Sequence, residues 1–238
     1  MGSGPDQIGR RLAIAGGGCQ SRGAVSTSPS LVIAVDGPAA SGKGTVARAL
    51  AARFTLPHMD TGLLYRAVAL SLLRWGGDPD SEFAALRACD GIGSLLDDEE
   101  LRSETVGGIA SRVSAYPAVR QALLERQQEF AGQPGGAVLD GRDIGTVIAP
   151  EAGAKLFVTA SPEVRAERRL AELQARGLPV HYPDVLLDIQ ARDERDSHRS
   201  AAPLRQAEDA LLLDTSALDR DAAVAEAIRL VEARLARV

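Results

Sequence analysis

Short apolar runs alternate with longer stretches of helical periodicity along most of this chain. The runs that predict β-strands cover residues 31–35, 54–60, 136–140, 154–159 and 210–213. The stretches that predict helices begin near residue 43 and then cover 63–75, 81–88, 99–114, 117–131, 161–176, 182–199 and 221–237, with a loop at 91–98. This order predicts an α/β fold, in which a parallel five-stranded sheet carries helices on both faces. Ligands are then expected at the carboxyl ends of the strands.

A glycine-rich turn lies between the first apolar run and the first helix. Its pattern is Gly37-x-x-x-x-Gly42-Lys43, and a hydroxyl follows at Thr45. Glycine permits backbone angles that turn successive N–H groups toward an anion, and the next helix points its positive dipole end at the same place. A lysine at the end of such a turn reaches the outer phosphates of a nucleotide. The turn therefore predicts a phosphate-binding loop.

The hydroxyl of this turn departs by one position from the usual phosphate-loop pattern. Gly44 stands where a serine or threonine normally follows the lysine, and Thr45 comes next. Thr45 is therefore the predicted contact to Mg²⁺, either directly or through water. The alternative for the whole turn is a glycine-rich hairpin or linker, which the flanking strand and helix patterns disfavour.

Three aspartates stand at the ends of predicted strands, namely Asp36, Asp60 and Asp140. Parallel strands share one carboxyl edge, so we expect these side chains close to the phosphate loop. An aspartate at the end of a strand can hold a metal-bound water in a phosphate-loop enzyme. For Asp140, a role in a turn or as a helix cap is the alternative.

The positions of the arginines matter because phosphoryl transfer depends on charge neutralisation and alignment. The segment 191–199, ARDERDSHR, places Arg192, Arg195, Asp196 and Arg199 on one helical face. A guanidinium group can donate two hydrogen bonds to a phosphate, and an aspartate can accept from ribose hydroxyls. On these residues alone, a salt-bridged solvent face is the more common explanation.

The totals for the chain restrict its partners. A chain of 238 residues with 45% hydrophobic content predicts one large globular domain, and a net charge of −5 argues against a general nucleic-acid-binding surface. Cys19 and Cys89 fit neither a disulfide framework nor a zinc site. No apolar run approaches the roughly 18 residues that a membrane span needs. We therefore expect a cytoplasmic monomer that binds small molecules, without nucleic-acid or membrane partners.

Residues 1–30 lack any periodicity and are rich in glycine and serine, which predicts a flexible tail. An organelle transit segment and a mis-assigned start codon are alternatives. Elsewhere, the three histidines His58, His181 and His198 show no metal-ligand spacing and are predicted as surface or packing residues. Trp75 is predicted as a core residue.

Four motifs, taken in order, resemble bacterial cytidylate kinases, which are nucleoside monophosphate kinases. They are GPAASGKGT at 37–45, DTG with YR at 60–66, DGRDIGT at 140–146, and the arginine segment with APL at 192–204. The resemblance covers residues 31–238. It implies a nucleoside monophosphate kinase fold with an acceptor-binding region at about 62–131 and a mobile lid at about 161–200. It also implies transfer of the γ-phosphoryl group of ATP to CMP or dCMP with Mg²⁺.

The resemblance implies a role for each matching residue. The donor phosphates are bound by Gly37, Pro38, Ala39, Ala40, Ser41, Gly42, Lys43, Gly44 and Thr45. The implied catalytic residues are Lys43, Arg142 and Arg192. The acceptor phosphate is bound by Arg66, Arg142 and Arg192, with Thr61 nearby. These matches favour a functional explanation of the 191–199 face over a solvent face.

The cytosine is expected to be read by Ser111, Arg120, Asp143 and Arg199, and the ribose hydroxyls to be bound by Asp196. Cytosine offers an amino donor to Asp143 and acceptors to Arg120 or Ser111, which agrees with these roles. Without the resemblance, a turn with a local ion pair remains the alternative for Arg142 and Asp143.

One stretch departs from the family pattern. Many members carry a small β-rich insert in the acceptor region, whereas residues 90–105 show no strand pattern, so this region is expected to be reduced and helical. Competing functions are a kinase for UMP, AMP or shikimate, and a nucleotide-binding module without turnover. A regulatory GTPase needs an asparagine in its guanine-binding motif, and the chain contains no asparagine.

Overall fold

The computed structural model describes residues 30–237, so the predicted tail lies outside it apart from Ser30. Its strands are β1 Leu31–Asp36, β2 His58–Asp60, β3 Gly136–Gly141, β4 Ala154–Thr159 and β5 Leu211–Asp214. Its α-helices are α1 Lys43–Phe54, α2 Gly62–Trp75, α3 Glu82–Arg87, α4 Glu104–Val113, α5 Pro117–Ala131, α6 Pro162–Ala175, α7 Tyr182–His198 and α8 Arg220–Leu235. Within these residues, no helix is both long and apolar enough to cross a membrane.

The strands of this part of the chain form one five-stranded parallel sheet in the order β2-β3-β1-β4-β5. The central strand β1 is covered on both faces. Ile33 and Val35 pack with α1 and α8 on one face, and Ala34 packs with Ala131 of α5 on the other. Burial on both faces explains why β1 reads as a continuous apolar run. The predicted α/β fold is confirmed.

The predicted second strand at 54–60 is wrong at its start. Helix α1 continues through Phe54 and ends where Thr55 takes a left-handed conformation, with a φ of 55°. The N–H group of Leu56 then bonds back to the carbonyl of Ala51. Strand β2 therefore begins only at His58.

The predicted helix at 99–114 is interrupted. A 3₁₀ turn at Glu99–Arg102 comes first, and α4 begins after Ser103. Ser103 has an extended backbone and its hydroxyl accepts a hydrogen bond from the Val106 N–H at 3.3 Å, which is a helix N-cap. The predicted loop at 91–98 contains a second 3₁₀ turn, Ile92–Leu95. No strand occurs within residues 62–131, as expected from the missing insert.

Trp75 is not a core residue, because 45% of its surface is exposed at the end of α2. The guanidinium group of Arg87 lies 5.1 Å from the centre of its ring. The aliphatic side chains of α2 provide the local core instead, where Val68 and Leu72 pack with Val113 and Leu123. This cluster joins α2 to α4 and α5 and forms a core of its own beside the sheet.

Helices α6 and α7 pack against each other and against the phosphate loop. Their buried side chains, including Leu173 and Ile189, form one cluster with Ala39 and Ala40 of the loop. The predicted lid helices are thus in apolar contact with the loop that is predicted to bind phosphate.

Arg165 of α6 links four parts of this region. Its side chain is 3% exposed and forms a two-point ion pair with Asp193 of α7, at 2.9 and 2.5 Å. It also donates to the carbonyl oxygens of Ala160, which follows β4, at 2.8 Å and of Ala39 in the phosphate loop at 3.3 Å. One buried guanidinium group therefore connects the sheet, the phosphate loop and both helices.

Replacing Arg165 by methionine should lower the free energy of unfolding by about 3 kcal/mol, because the change leaves Asp193 without its partner in a largely buried place. Chemical denaturation measures this loss. The matched control is Arg229→Met on α8, where an exposed ion pair with Glu226 is removed. An exposed pair contributes little, so this variant should unfold like the wild type. Equal free energies of unfolding for the two variants would contradict the structural role assigned to Arg165.

Candidate active site

The phosphate loop owes its shape to two glycines. A β-carbon at Gly37 would overlap the carbonyl oxygen of Val158, so only glycine allows the loop to pass this close to β4. Gly42 directly precedes α1 and has a φ of 88°, in the left-handed region. The loop thereby brings its backbone N–H groups and the N-terminus of α1 to the carboxyl edge of the sheet.

Lys43, the first residue of α1, folds back over the loop. Its Nζ atom donates to the carbonyl oxygen of Pro38 at 3.3 Å. Burial and the nearby positive charge of Arg142 lower the pKa of Lys43 to about 8. A bound phosphate group would offset both effects, because it adds a negative charge beside the ammonium group.

A cavity opens in front of this loop, here called the loop cavity. It is lined by the loop residues Ala39, Ala40 and Gly42 to Thr45 and by Asp60 and Asp140. These two aspartates are direct partners in the pairing of β2 with β3. Burial and the charge of Asp140 raise the pKa of Asp60 above its ordinary value. The cavity therefore combines anion-binding N–H groups with two adjacent carboxylates.

The oxygen atoms of the loop cavity fit a magnesium ion. Thr45 offers a hydroxyl, and Asp60 and Asp140 offer carboxylates. Within residues 30–237, no three His, Cys, Asp or Glu side chains form a dedicated metal cage. Magnesium is usually bound by one or two carboxylates, water and substrate phosphates, so a cage is not required.

A second cavity, here called the arginine cavity, lies beside the first. Nine of its lining residues are those predicted to bind the acceptor substrate, namely Thr61, Arg66, Ser111, Arg120, Arg142, Asp143, Arg192, Asp196 and Arg199. They come from α2, α4, α5 and α7, from the cap residues Thr61 before α2 and Arg199 after α7, and from the turn after β3. The structure thus brings together residues that are separated by more than half of the chain.

Three arginines line both cavities, and they mark the boundary between them. Arg66 donates to the carbonyl oxygen of Leu101 at 2.7 Å, and Arg192 donates to that of Gly107 at 2.9 Å. Burial and the nearby positive charges lower the pKa values of Arg66 and Arg192. Among the described residues Arg66 has no ion-pair partner and Arg192 has only Asp188, at 3.7 Å, so their positive charges are not fully neutralised by the protein itself.

Arg142 is the third arginine at this boundary, and its orientation is fixed by an ion pair. Its Nε atom lies 2.8 Å from Oδ2 of Asp196. Burial alone would lower the pKa of Arg142, but Asp196, with Asp140 and Asp60, raises it. Conversely, burial would raise the pKa of Asp196, but Arg142 and other arginines hold it below its ordinary value. Both side chains are therefore charged.

The far end of the arginine cavity contains an ion-paired cluster. Arg120 forms a close ion pair with Asp143, and Nη2 of Arg199 lies 3.7 Å from the other oxygen of Asp143. Within the described part of the chain, this buried Nη2 atom has no hydrogen-bond partner. The ring of Tyr65 lies against Arg120, with 5.5 Å between the guanidinium carbon and the ring centre. The cluster therefore offers one carboxylate, an unused donor and an aromatic wall.

The two predicted hydroxyl residues, Thr61 and Ser111, both have a hydrogen-bond partner within the protein. Thr61 is buried, and its hydroxyl donates to the carbonyl oxygen of Asp140 at 2.9 Å. Ser111 lines the cavity, and its hydroxyl accepts a hydrogen bond from Arg195 at 3.3 Å.

The predicted arginine face of residues 191–199 is only partly present. Arg195 is exposed outside the cavity, and Arg199 follows the last residue of α7. The predicted single face with three arginines is thus wrong in detail, because only Arg192 and Asp196 enter from the helix.

A third cavity, here called the outer cavity, adjoins the loop cavity on its other side. Gly42 and Thr45 line both. Its walls are mainly apolar and include Val46, Leu218 and Ala223. The three cavities therefore lie in a row. The loop cavity is in the middle and shares Gly42 and Thr45 with the outer cavity and Arg66 with the arginine cavity.

Comparisons with known proteins agree with this geometry. The family model described as "Cytidylate kinase" matches residues 33–233. The chain belongs to the cytidylate kinase family. It is 62% identical to the cytidylate kinase of Xanthobacter autotrophicus, over 87% of this chain and 99% of the relative. It is 57% identical to that of Methylocella silvestris, over 85% and 94% of the two chains. The kinase activity predicted from the four motifs is confirmed at the level of this family.

A solved structure supports the fold alone. An uncharacterized protein from Eubacterium ventriosum is similar with a TM-score of 0.51 and 14% identity, over 85% of this chain and 98% of that protein. At this identity the comparison says nothing about substrate.

For two residues of this cytidylate kinase family member, the sequence analysis predicted no specific contact in the site. Tyr65 stands directly before Arg66 in the YR motif and could have been found there. Asp36 was noted only as a strand end, whereas its two oxygens accept the N–H groups of Ile144 and Gly145, each at 2.8 Å. These bonds hold the turn that carries Asp143. Nothing local in the sequence signals contacts over 108 and 109 positions.

Asp36 should titrate near pH 6. Burial is the main cause, and the charge of Asp143 adds to it, so that the pKa of Asp36 rises to about 6 even though two N–H groups oppose the shift. Between about pH 4 and pH 6 the folded state then binds this proton more tightly than the unfolded state, so the contribution of Asp36 to stability falls as pH rises through that window.

Carbon-13 NMR of the aspartate carboxyl groups measures this pKa directly, and the Asp36→Asn variant assigns the resonance by its disappearance. A titration of Asp36 below pH 4 would contradict the prediction.

Proposed function

We propose that this chain phosphorylates CMP or dCMP by direct transfer from ATP at the boundary between the loop cavity and the arginine cavity. The observation that supports this most strongly is that Arg66, Arg142 and Arg192 line both cavities. A phosphoryl group in transit between a donor and an acceptor phosphate lies at such a boundary. Guanidinium groups placed there stabilise the charge of the transition state.

The donor nucleotide occupies the two cavities on the α1 side. Its phosphates bind the loop N–H groups and Lys43, and its nucleoside lies in the apolar outer cavity beside Val46 and Leu218. Magnesium, when bound, neutralises phosphate charge and aligns the phosphates. Thr45, Asp60 and Asp140 are the residues that would hold it, directly or through water.

The acceptor occupies the arginine cavity. Its phosphate binds the three boundary arginines, and its base reaches Arg120, Asp143 and Arg199. The cytosine amino group donates to Asp143, and the ring acceptors take hydrogen bonds from the arginines. Uracil carries an oxygen at the position of this amino group, so the Asp143 carboxylate would face an acceptor and UMP would bind poorly. The Asp196 carboxylate accepts hydrogen bonds from the ribose hydroxyls in this proposal, which its 2.8 Å contact with Arg142 supports by fixing its orientation.

The reaction is an in-line displacement without a covalent enzyme intermediate. Helices α6 and α7 act as the lid. They already contact α4 through an ion pair between Arg169 and Glu104 and through the bond of Arg192 to Gly107. Lid closure brings Arg169, which lines the loop cavity, toward the transferred group and excludes water. Residues 62–131 form the acceptor-binding region in this scheme. We also expect a cytoplasmic monomer without nucleic-acid partners.

Release of ADP from magnesium ATP tests the function with a panel of acceptors, namely CMP, dCMP, UMP, AMP, GMP and shikimate. Turnover confined to CMP and dCMP is the expected result. Turnover with UMP or AMP instead would overturn the base-reading assignment while leaving the phosphate loop in place. Binding of ATP without turnover of any acceptor would indicate a nucleotide-binding module and would overturn the proposal.

Arg142→Ala should lower kcat for CMP by at least about a hundredfold, because it removes a fixed positive charge from the transferred group. Steady-state kinetics with saturating ATP measures the effect. The control is Arg229→Ala, which removes an equally charged side chain from the exposed face of α8 and should leave kcat unchanged. Retention of wild-type kcat by the Arg142 variant would remove this residue from the catalytic set.

Asp143→Asn should lower the ratio of kcat/KM for CMP over UMP by at least about tenfold. A neutral amide can turn its N–H₂ group toward the uracil oxygen, whereas a carboxylate cannot donate. The ratio is measured by competition between the two acceptors. Asp184→Asn, at an exposed position of α7, is the control. Loss of CMP turnover with an unchanged ratio would show that Asp143 only positions Arg120.

A further inference from the structure

His58, predicted as a surface or packing residue, contacts the candidate active site. Its Nε2 atom lies 2.7 Å from Oδ1 of Asp140. The two side chains are 18% and 3% exposed, respectively. An ionised carboxylate only accepts hydrogen bonds, so Nε2 carries the hydrogen and His58 is the donor.

The strand register explains how this pair forms. Strand β2 runs parallel to β3 with His58 opposite Val138 and Asp60 opposite Asp140. Side chains two residues apart on a strand point to the same face, so His58, Asp60 and Asp140 share one face of the sheet. The imidazole ring therefore reaches along this face to the carboxylate at the end of the neighbouring strand.

The hydrogen bond leaves the second oxygen of Asp140 available to the loop cavity. A β-carbon at Gly44 would lie 3.6 Å from Oδ2 of Asp140, so this oxygen faces the start of α1. Asp60, the direct partner of Asp140, has one oxygen engaged by the N–H group of Gly62 at 2.9 Å. Each of the two carboxylates thus has one oxygen held by the protein.

Two adjacent carboxylates repel each other and would turn apart if their side chains were free. A donor on one oxygen of Asp140 fixes the side-chain rotamer and reduces the cost of keeping the charge in a buried place. No other part of the mechanism above uses His58, and its side chain is not among those that line the cavities.

We propose that His58 is a positioning residue, whose Nε2–H group holds Asp140 so that Oδ2 points into the loop cavity beside Gly44. The proposal rests on the proposed phosphoryl transfer, because it assigns Asp140 to the donor-phosphate side of the reaction. His58 does not touch the acceptor, so its effect is confined to that side.

Two variants of similar size test this role. His58→Gln keeps an N–H donor at about the same reach, and His58→Leu removes it. The leucine variant should lose about tenfold in kcat, as is typical when an orienting partner is removed, with an unchanged KM for CMP. The glutamine variant should stay within about threefold of the wild type. Equal kcat values for the two variants, whether both are normal or both are impaired, would overturn the proposal.

Binding of ADP gives a readout that is independent of turnover. Calorimetry with Mg²⁺ should show about tenfold weaker binding for His58→Leu than for His58→Gln, and with EDTA the two should bind alike. A loss of equal size in both buffers would indicate a general disruption of the loop and would overturn the proposal. Absence of CMP turnover in the wild type would defeat the proposed function, and the binding comparison would still test the position of Asp140.

A double-mutant cycle separates positioning from folding. In an Asp140→Ala background, His58→Leu should cause no further loss of Mg²⁺-dependent ADP affinity, because the acceptor of its hydrogen bond is gone. Full additivity of the two losses would overturn the proposal. Melting temperatures of all variants identify any loss that arises from unfolding.

Discussion

The ion pair between Arg142 and Asp196 joins the two halves of this active site. Arg142 comes from the turn after β3, and Asp196 comes from α7. Their 2.8 Å contact holds a guanidinium group at the boundary between the loop cavity and the arginine cavity. Without a partner on α7, the Arg142 side chain would keep only a 3.3 Å hydrogen bond to the carbonyl oxygen of Gly141. This ion pair therefore fixes the turn after β3 relative to α7 and holds one positive charge between the two cavities.

Three kinds of charged or polar groups surround the candidate active site. Asp60 and Asp140 stand at strand ends, the arginines come from the surrounding helices and from the turn after β3, and backbone N–H groups line the phosphate loop. Arg66 and Arg192 remain incompletely neutralised, because in the described part of the chain Arg66 forms no ion pair and Arg192 has only the 3.7 Å contact with Asp188. An enzyme for phosphoryl transfer needs such a surplus, because a substrate dianion supplies the missing negative charge. Structural ion pairs such as Arg165 with Asp193 are instead complete within the protein.

Those parts of the fold and the site that depend on local chemistry could be predicted from the sequence. The phosphate loop needs glycine at fixed spacing before a helix, and the strand β1 is a continuous apolar run. The end of α1 could not be placed, because Thr55 ends the helix in a left-handed conformation that threonine rarely adopts. The break at Ser103 was missed because a serine cap inside a polar helical pattern looks like an ordinary helix residue.

Contacts between distant segments could not be predicted from spacing alone. His58 carries no motif, and its partner Asp140 lies 82 positions away. The same holds for Arg165 and the carbonyl of Ala39, at 126 positions. The family resemblance predicted which residues bind substrate, because relatives share the fold in which these residues meet, and that assignment stays a prediction. The resemblance did not predict the neighbouring residues that orient the site residues, such as His58 beside Asp140. Such contacts can be seen only when the strand register is known.

A bisubstrate analogue, adenosine and cytidine joined through a polyphosphate, tests the central claim most directly. If the three cavities form one continuous site with the boundary arginines at its centre, the analogue should bind far more tightly than ATP or CMP alone. ATP and CMP should then each displace the analogue, and the Arg142→Ala variant should bind the analogue more weakly. An analogue that binds no more tightly than ATP, or that CMP fails to displace, would show that the cavities are not used together.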